Sequence, residues 1–89
     1  MTIKTLKIVN EKGLHARASA KLVELAEGYA AQVTVSRDGM SASGDSIMGL
    51  LMLAAAKGTT IDIETAGDDA DALADAIEEL VADKFGEGF

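Results

Sequence analysis

The sequence predicts an α+β fold: a single β-sheet with helices over one of its faces, an open-faced β-sandwich. Three observations carry this. Short stretches alternate apolar with polar residues (Leu6 and Ile8, Val33 and Val35, Ile61 and Ile63), the period of half-buried strands. Longer stretches, 16–27 and 71–84, repeat apolar residues three and four apart, as an amphipathic helix does. The elements follow one another as βαββαβα, so helices with one apolar side can cover one face of four strands. The pattern alone leaves the strand order open.

Thr2 to Val9 is the first strand, and Asn10 to Gly13 is turn-like. Ala16 to Glu27 places Leu22, Leu25 and Ala26 on one helical face, with Ala18 a turn earlier; Arg17, Lys21 and Glu24 lie on another. Gly28 is placed to end this helix. Gln32 to Ser36 is the second strand. The Asp38-Gly39 pair then predicts a tight hairpin into Met40 to Ser43. Ser46 is a candidate N-cap for an apolar helix of about two turns, Ile47 to Leu53, crossed by Gly49. Thr59 to Ala66 is the last strand. Gly67-Asp68-Asp69 starts a final helix, with acids at the positive end of its dipole. Asp71 to Lys84 carries Leu73, Ile77, Leu80, Val81 and Lys84 along one stripe, with Asp75, Glu78, Glu79 and Asp83 outside. Gly86-Glu87-Gly88-Phe89 reads as a frayed tail.

Composition bounds the function. Eighty-nine residues predict one domain, 1–89. Such a chain buries about 60–65% of its unfolded surface, so its core is modest. It has no cysteine, hence no disulfide or thiolate metal site. No signal-like start and no apolar run of ~20 residues is present, so a cytoplasmic protein without a membrane partner is expected. A net charge of −7 argues against nucleic acid. The acid is concentrated in 62–87, whereas Lys12, Arg17 and Lys21 cluster near His15. An acidic body with a locally basic nose suits an acidic protein partner.

The chemistry concentrates at Gly13-Leu14-His15-Ala16-Arg17. This segment holds the single histidine, where a loop becomes a helix. The first N–H groups of a helix lack intrahelical acceptors and attract anions. Arg17 adds a guanidinium suited to phosphate. A nucleophile, free amides and an arginine together point to a histidine that carries a phosphoryl group. The same histidine also suits a plain surface position or helix cap. A metal site is not expected: there is no second histidine, and no carboxylate follows His15 at helical spacing. The run Ile47 to Leu53 is apolar almost all round. Some of Ile47, Met48 and Leu51 should therefore face solvent as a docking patch, unless the whole run is core.

Gly13-Leu14-His15-Ala16-Arg17, Ser46-Ile47-Met48-Gly49 and Lys57-Gly58 together resemble the HPr family, the phosphocarriers of the bacterial phosphotransferase system. The resemblance covers nearly the whole chain. It implies an antiparallel sheet of order 1-4-2-3 with three helices on one face. It also implies a relay in which His15 accepts a phosphoryl group on Nδ1 from enzyme I and passes it to enzyme IIA proteins. On that reading His15 is a relay intermediate and the protein, a monomer without cofactors, is not a turnover enzyme. Arg17 and the helix amides would hold the phosphate oxygens. Ser46 would be a regulatory phosphosite for HPr kinase/phosphorylase, and Arg17, Lys21, Ile47, Met48 and Leu51 would meet partners. Two positions depart from the family: Ala18 stands where proline is usual, which loosens the helix start, and Asp45 puts a negative charge beside Ser46. Two alternatives stand beside this reading: the regulatory nitrogen branch, which feeds no sugar transporter, and an interaction module of the same fold that is never phosphorylated.

Overall fold

A computed structural model of the chain describes residues 1–87. It contains β1 (Thr2–Lys7), α1 (Ala16–Glu27), β2 (Ala31–Arg37), β3 (Met40–Ser43), α2 (Ile47–Met52), β4 (Thr60–Gly67) and α3 (Ala70–Ala82). The four strands form one antiparallel sheet in the order β1-β4-β2-β3. This is the expected open-faced α+β architecture with three helices.

The central strand shows why the sheet takes this form. In β4, Ile61, Ile63 and Thr65 are buried while Asp62 and Glu64 are exposed. Period 2 therefore sends one row to the helices and one to water. Registers Leu6↔Ile61 and Val35↔Ile63 continue the buried row into β1 and β2. The opposite face is polar, and Thr5 donates to Asp62 across it at 2.6 Å. The β2–β3 hairpin turns at Asp38 (φ 50°) and Gly39 (φ 80°). Two successive positive φ values define the tight turn that the Asp-Gly pair predicts.

Helices α1, α2 and α3 contribute Ala18 and Leu22, Leu50, and Leu73, Ala74, Ile77 and Val81 to the core. Lys4, at the sheet edge, reaches up to α3 and sits 3.1 Å from Asp75 and 3.0 Å from Glu78. The hydrogen bond to Glu78, with that to Asp75, holds its ammonium pKa above the ordinary lysine value. Asp69 stands at the N-cap of α3, but its carboxylate accepts from the Ala30 amide at 2.7 Å instead of capping the helix.

Boundaries differ from expectation at the C-terminal end. α3 stops at Ala82, so Lys84 does not extend its stripe. Nor is the next segment frayed. Lys84 and Phe85 adopt left-handed conformations (φ 57° and 54°), and the Phe85 side chain is wholly buried in the core. Lys21 of α1 donates to the Phe85 carbonyl at 2.8 Å. Each left-handed residue costs about 1–2 kcal/mol. Burial of a phenyl ring offsets that cost. Gly88 and Phe89, the rest of the expected tail, lie outside the described residues. Phe85→Ala should cost about 3–5 kcal/mol by leaving a cavity. Urea unfolding should show the midpoint falling accordingly; an unchanged midpoint would mean that this segment adds nothing to the core.

Candidate functional site

Three segments meet at His15: the Asn10–Leu14 turn, the first turn of α1, and the residues after α3. The turn is pinned from below. Leu14 is buried, and its amide donates to the Ala55 carbonyl at 2.8 Å. Gly13 has φ +63°, and a Cβ there would lie 2.4 Å from the Ala55 oxygen. Only glycine fits that approach. Glu11 and Lys57 tie the same two loops at the surface, 2.7 Å apart. That hydrogen bond lowers the Glu11 carboxyl pKa below its ordinary value.

His15 occupies the N-cap of α1 with extended backbone (φ −86°, ψ −174°), yet its side chain caps nothing. This weighs against a purely capping histidine. Its carbonyl takes the first helical bond, from Ser19 at 2.8 Å. The amides of Ala16, Arg17 and Ala18 have no backbone acceptor among the described residues. Two of these amides, on Ala16 and Arg17, belong to exposed residues beside a side chain that is 27% exposed, while Ala18 is buried. That is an anion cradle. Arg17 is exposed and makes no ion pair among the described residues. Ala18 is completely buried, so the residue in the family's proline position serves packing. Lys21 lies further along α1, half-buried, its ammonium held by the Phe85 carbonyl. It adds positive charge to the face while tethering the C-terminal segment.

The ring of His15 is bracketed. Nδ1 lies 3.0 Å from the Gly13 carbonyl oxygen. Nε2 lies 2.8 Å from Oε2 of Glu87, whose side chain is only 3% exposed. Among the described residues no aligned hydrogen bond reaches that oxygen. Lys12, His15, Ala16, Arg17, Gly86 and Glu87 line a shallow cleft around the ring. Glu87 is the site neighbour that the sequence reading missed. Only the apolar Phe85, just before two glycines, hinted that the segment was anchored.

The second part of the candidate surface is α2. Ser46 caps it, accepting from the Gly49 amide at 3.0 Å. Ile47 and Met48 are 39% and 71% exposed, and Leu51 is half-buried. Leu50 and Leu53 point into the core, so the run is not all core. Met52, not expected at this surface, is 74% exposed. It lies four residues after Met48 and so on the same helical face. α2 packs against α1, the helix that begins at His15. Arg37 donates to the Leu53 carbonyl at 3.0 Å and holds the end of α2 to the hairpin.

A histidine ring beside free helix amides, on an open-faced sandwich, is an arrangement that can receive an anion. Comparison with known proteins makes this particular. Residues 3–83 match the family described as "PTS HPr component phosphorylation site". Phosphocarrier protein HPr of Cupriavidus necator is 51% identical over 81 residues, covering 91% of each chain. Phosphocarrier protein NPr of Shewanella violacea is 48% identical over 80 residues, covering 90% of this chain and 88% of its own. Among solved structures, HPr-C-His from Thermoanaerobacter tengcongensis superposes with a TM-score of 0.94 at 34% identity, covering 100% of both chains. The chain belongs to the HPr family, the phosphocarriers of the phosphotransferase system. Among the described residues no helix is long and apolar enough to cross a membrane.

Proposed function

We propose that this chain is a cytoplasmic, single-domain phosphocarrier: His15 accepts a phosphoryl group from enzyme I and passes it to enzyme IIA proteins. The observation that carries this reading is the N-cap geometry of His15, whose side chain makes no capping bond and stands beside the amides of the exposed Ala16 and Arg17, which have no backbone acceptor among the described residues. A neutral imidazole keeps a lone pair that can attack phosphorus; an imidazolium has none. Phosphoryl transfer is positioning plus charge stabilisation, which the amides and Arg17 can supply. Their grip is modest because the site is open, and a carrier must let go. Incubation with enzyme I and phosphoenolpyruvate should add one acid-labile, base-stable phosphate. An acid-stable phosphate, or none, would sink the relay.

Arg17 is read as the available cation of the site, since it is exposed and has no carboxylate partner among the described residues. Arg17→Glu should slow phosphate arrival and departure at least about tenfold, because reversing a contact charge costs a few kcal/mol. Rapid-quench transfer assays in both directions check this. Equal rates would make Arg17 an ordinary surface residue.

Ser46 is read as the cap of α2 and, by family, as a regulatory phosphosite for a kinase/phosphorylase. A phosphate there would add about −1.5 to −2 charge to the docking face. Asp45, exposed beside it, already makes that face less basic. The nitrogen-regulatory branch is the second reading, favoured by the similarity to the Shewanella violacea NPr.

A further inference from the structure

The C-terminal segment is built to place one carboxylate against the histidine ring. Phe85 is wholly buried and anchors the segment in the core. Lys21 holds its carbonyl at 2.8 Å. Asn10, completely buried, donates from Nδ2 to the Gly13 carbonyl at 2.9 Å and to Glu87 Oε1 at 3.0 Å. These contacts fix the second carboxylate oxygen, Oε2, 2.8 Å from His15 Nε2. That oxygen is buried and receives no hydrogen bond from the described residues. A buried carboxylate oxygen without a donor is costly unless a neighbour supplies a proton or positive charge. The ring nitrogen facing it is the group able to do so.

We propose that Glu87 is a positioning residue for the carrier reaction: it keeps the proton on Nε2 and directs the phosphoryl group to Nδ1. This deepens the phosphocarrier reading and rests on it. A phosphate on Nε2 would be set directly against the buried carboxylate, where like charges repel strongly. Among the described residues Nδ1 faces a neutral carbonyl oxygen, which can only accept, so an unprotonated Nδ1 gains by turning away from it. The Gly13 oxygen already accepts from the His15 amide at 2.9 Å and from Asn10 at 2.9 Å, so the ring can turn away without stranding it. Nε2 lies closer to the Cβ–Cγ axis than Nδ1 does. A modest turn about that bond therefore swings Nδ1 into the cleft while Nε2 stays near Glu87. The lone pair on Nδ1 then forms the N–P bond as the bond from phosphorus to the donor breaks, its electron pair leaving with the donor. The proton on Nε2 stays in place. The ring, now substituted on both nitrogens, is cationic, and Glu87 faces its N–H.

The test uses the full chain and phosphoramidate as a small phosphoryl donor, so that enzyme I is not involved. Here the bond from phosphorus to the donor nitrogen breaks, and ammonia leaves after taking a proton from water. Phosphorus-31 and nitrogen-15 NMR report which ring nitrogen carries phosphate and which tautomer the unphosphorylated ring adopts. The wild type should carry phosphate on Nδ1 and hold the Nε2–H tautomer. Glu87→Ala should shift both ratios about tenfold toward the other nitrogen, the effect of losing one contact to a charged group. Glu87→Gln keeps an oxygen acceptor without the charge and should fall between the two. It also decides the matter should the alanine variant lose its fold. Unchanged isomer and tautomer ratios in both variants, or a wild type phosphorylated mainly on Nε2, would overturn the proposal. If the wild type shows the Nδ1 preference with phosphoramidate yet takes no phosphate from enzyme I, Glu87 keeps its positioning role and the carrier reading fails.

Discussion

His15→Ala should take up no phosphate from enzyme I and phosphoenolpyruvate, and yet remain folded. The chain has no other histidine, so no second imidazole can take the phosphoryl group in its place. The imidazole caps no helix amide, and Leu14, Ala18 and Ser19 around it carry the packing. Removal does strand the Glu87 carboxylate, which loses the ring facing Oε2. That costs about 1–3 kcal/mol if the carboxylate stays buried, and less if the segment swings out to water. Phosphate incorporation followed by acid treatment, beside a urea unfolding curve, separates the two effects. Label retained by the variant would put the chemistry on another residue. Wholesale unfolding would make the histidine a structural element.

The sheet was legible because its period is unforgiving. Moving Ile61 or Ile63 by one position would turn an isoleucine to water and an acid to the core. The alternation thus sets the face of β4, and the Asp38-Gly39 turn sets the register of the hairpin. Strand order was not legible from the pattern. The pairing of β4 with both β1 and β2 depends on which buried rows meet across distant segments. α2 was half legible. Its composition announces apolarity, but a helix of six residues is too short for a periodic stripe to show which side is buried. Exposure of Met52 therefore escaped notice.

At the site, the local half could be read and the distant half could not. His15, Arg17 and the helix start are neighbours in sequence, and their chemistry follows from residue type and position. Glu87 reaches His15 only through the folded core, by way of a left-handed pair at Lys84 and Phe85 that no helical or strand period announces. Two glycines beside it imitate a loose tail. What holds the segment is one buried phenyl ring, together with bonds from Lys21 and Asn10.

Met48→Glu should raise the Michaelis constant for enzyme I about a hundredfold while changing stability by less than ~0.5 kcal/mol. The two halves of this expectation rest on separate observations. Met48 is 71% exposed, so a glutamate there stays hydrated in the free protein. It would also sit in the first turn of α2, which has no acid of its own, where a negative charge favours the helix dipole. The cost comes only on docking. Ile47, Met48 and Met52 leave apolar area open on the helix that packs against α1. A partner that covers His15 would cover this area too, and methionine can repack against partners of different shape. A glutamate buried there without a cation loses hydration worth several kcal/mol. Met52→Glu should act in the same direction from one turn further along. Ile3→Glu is the control: Ile3 is 64% exposed but lies on the open face of the sheet, opposite the helices. It adds the same charge without touching the patch, and should leave the Michaelis constant within about twofold once salt has screened long-range repulsion. If Ile3→Glu weakens transfer as much as Met48→Glu at high salt, net charge and not the α2 patch governs the encounter. If Met48→Glu unfolds the protein, α2 depends on that side chain for its packing.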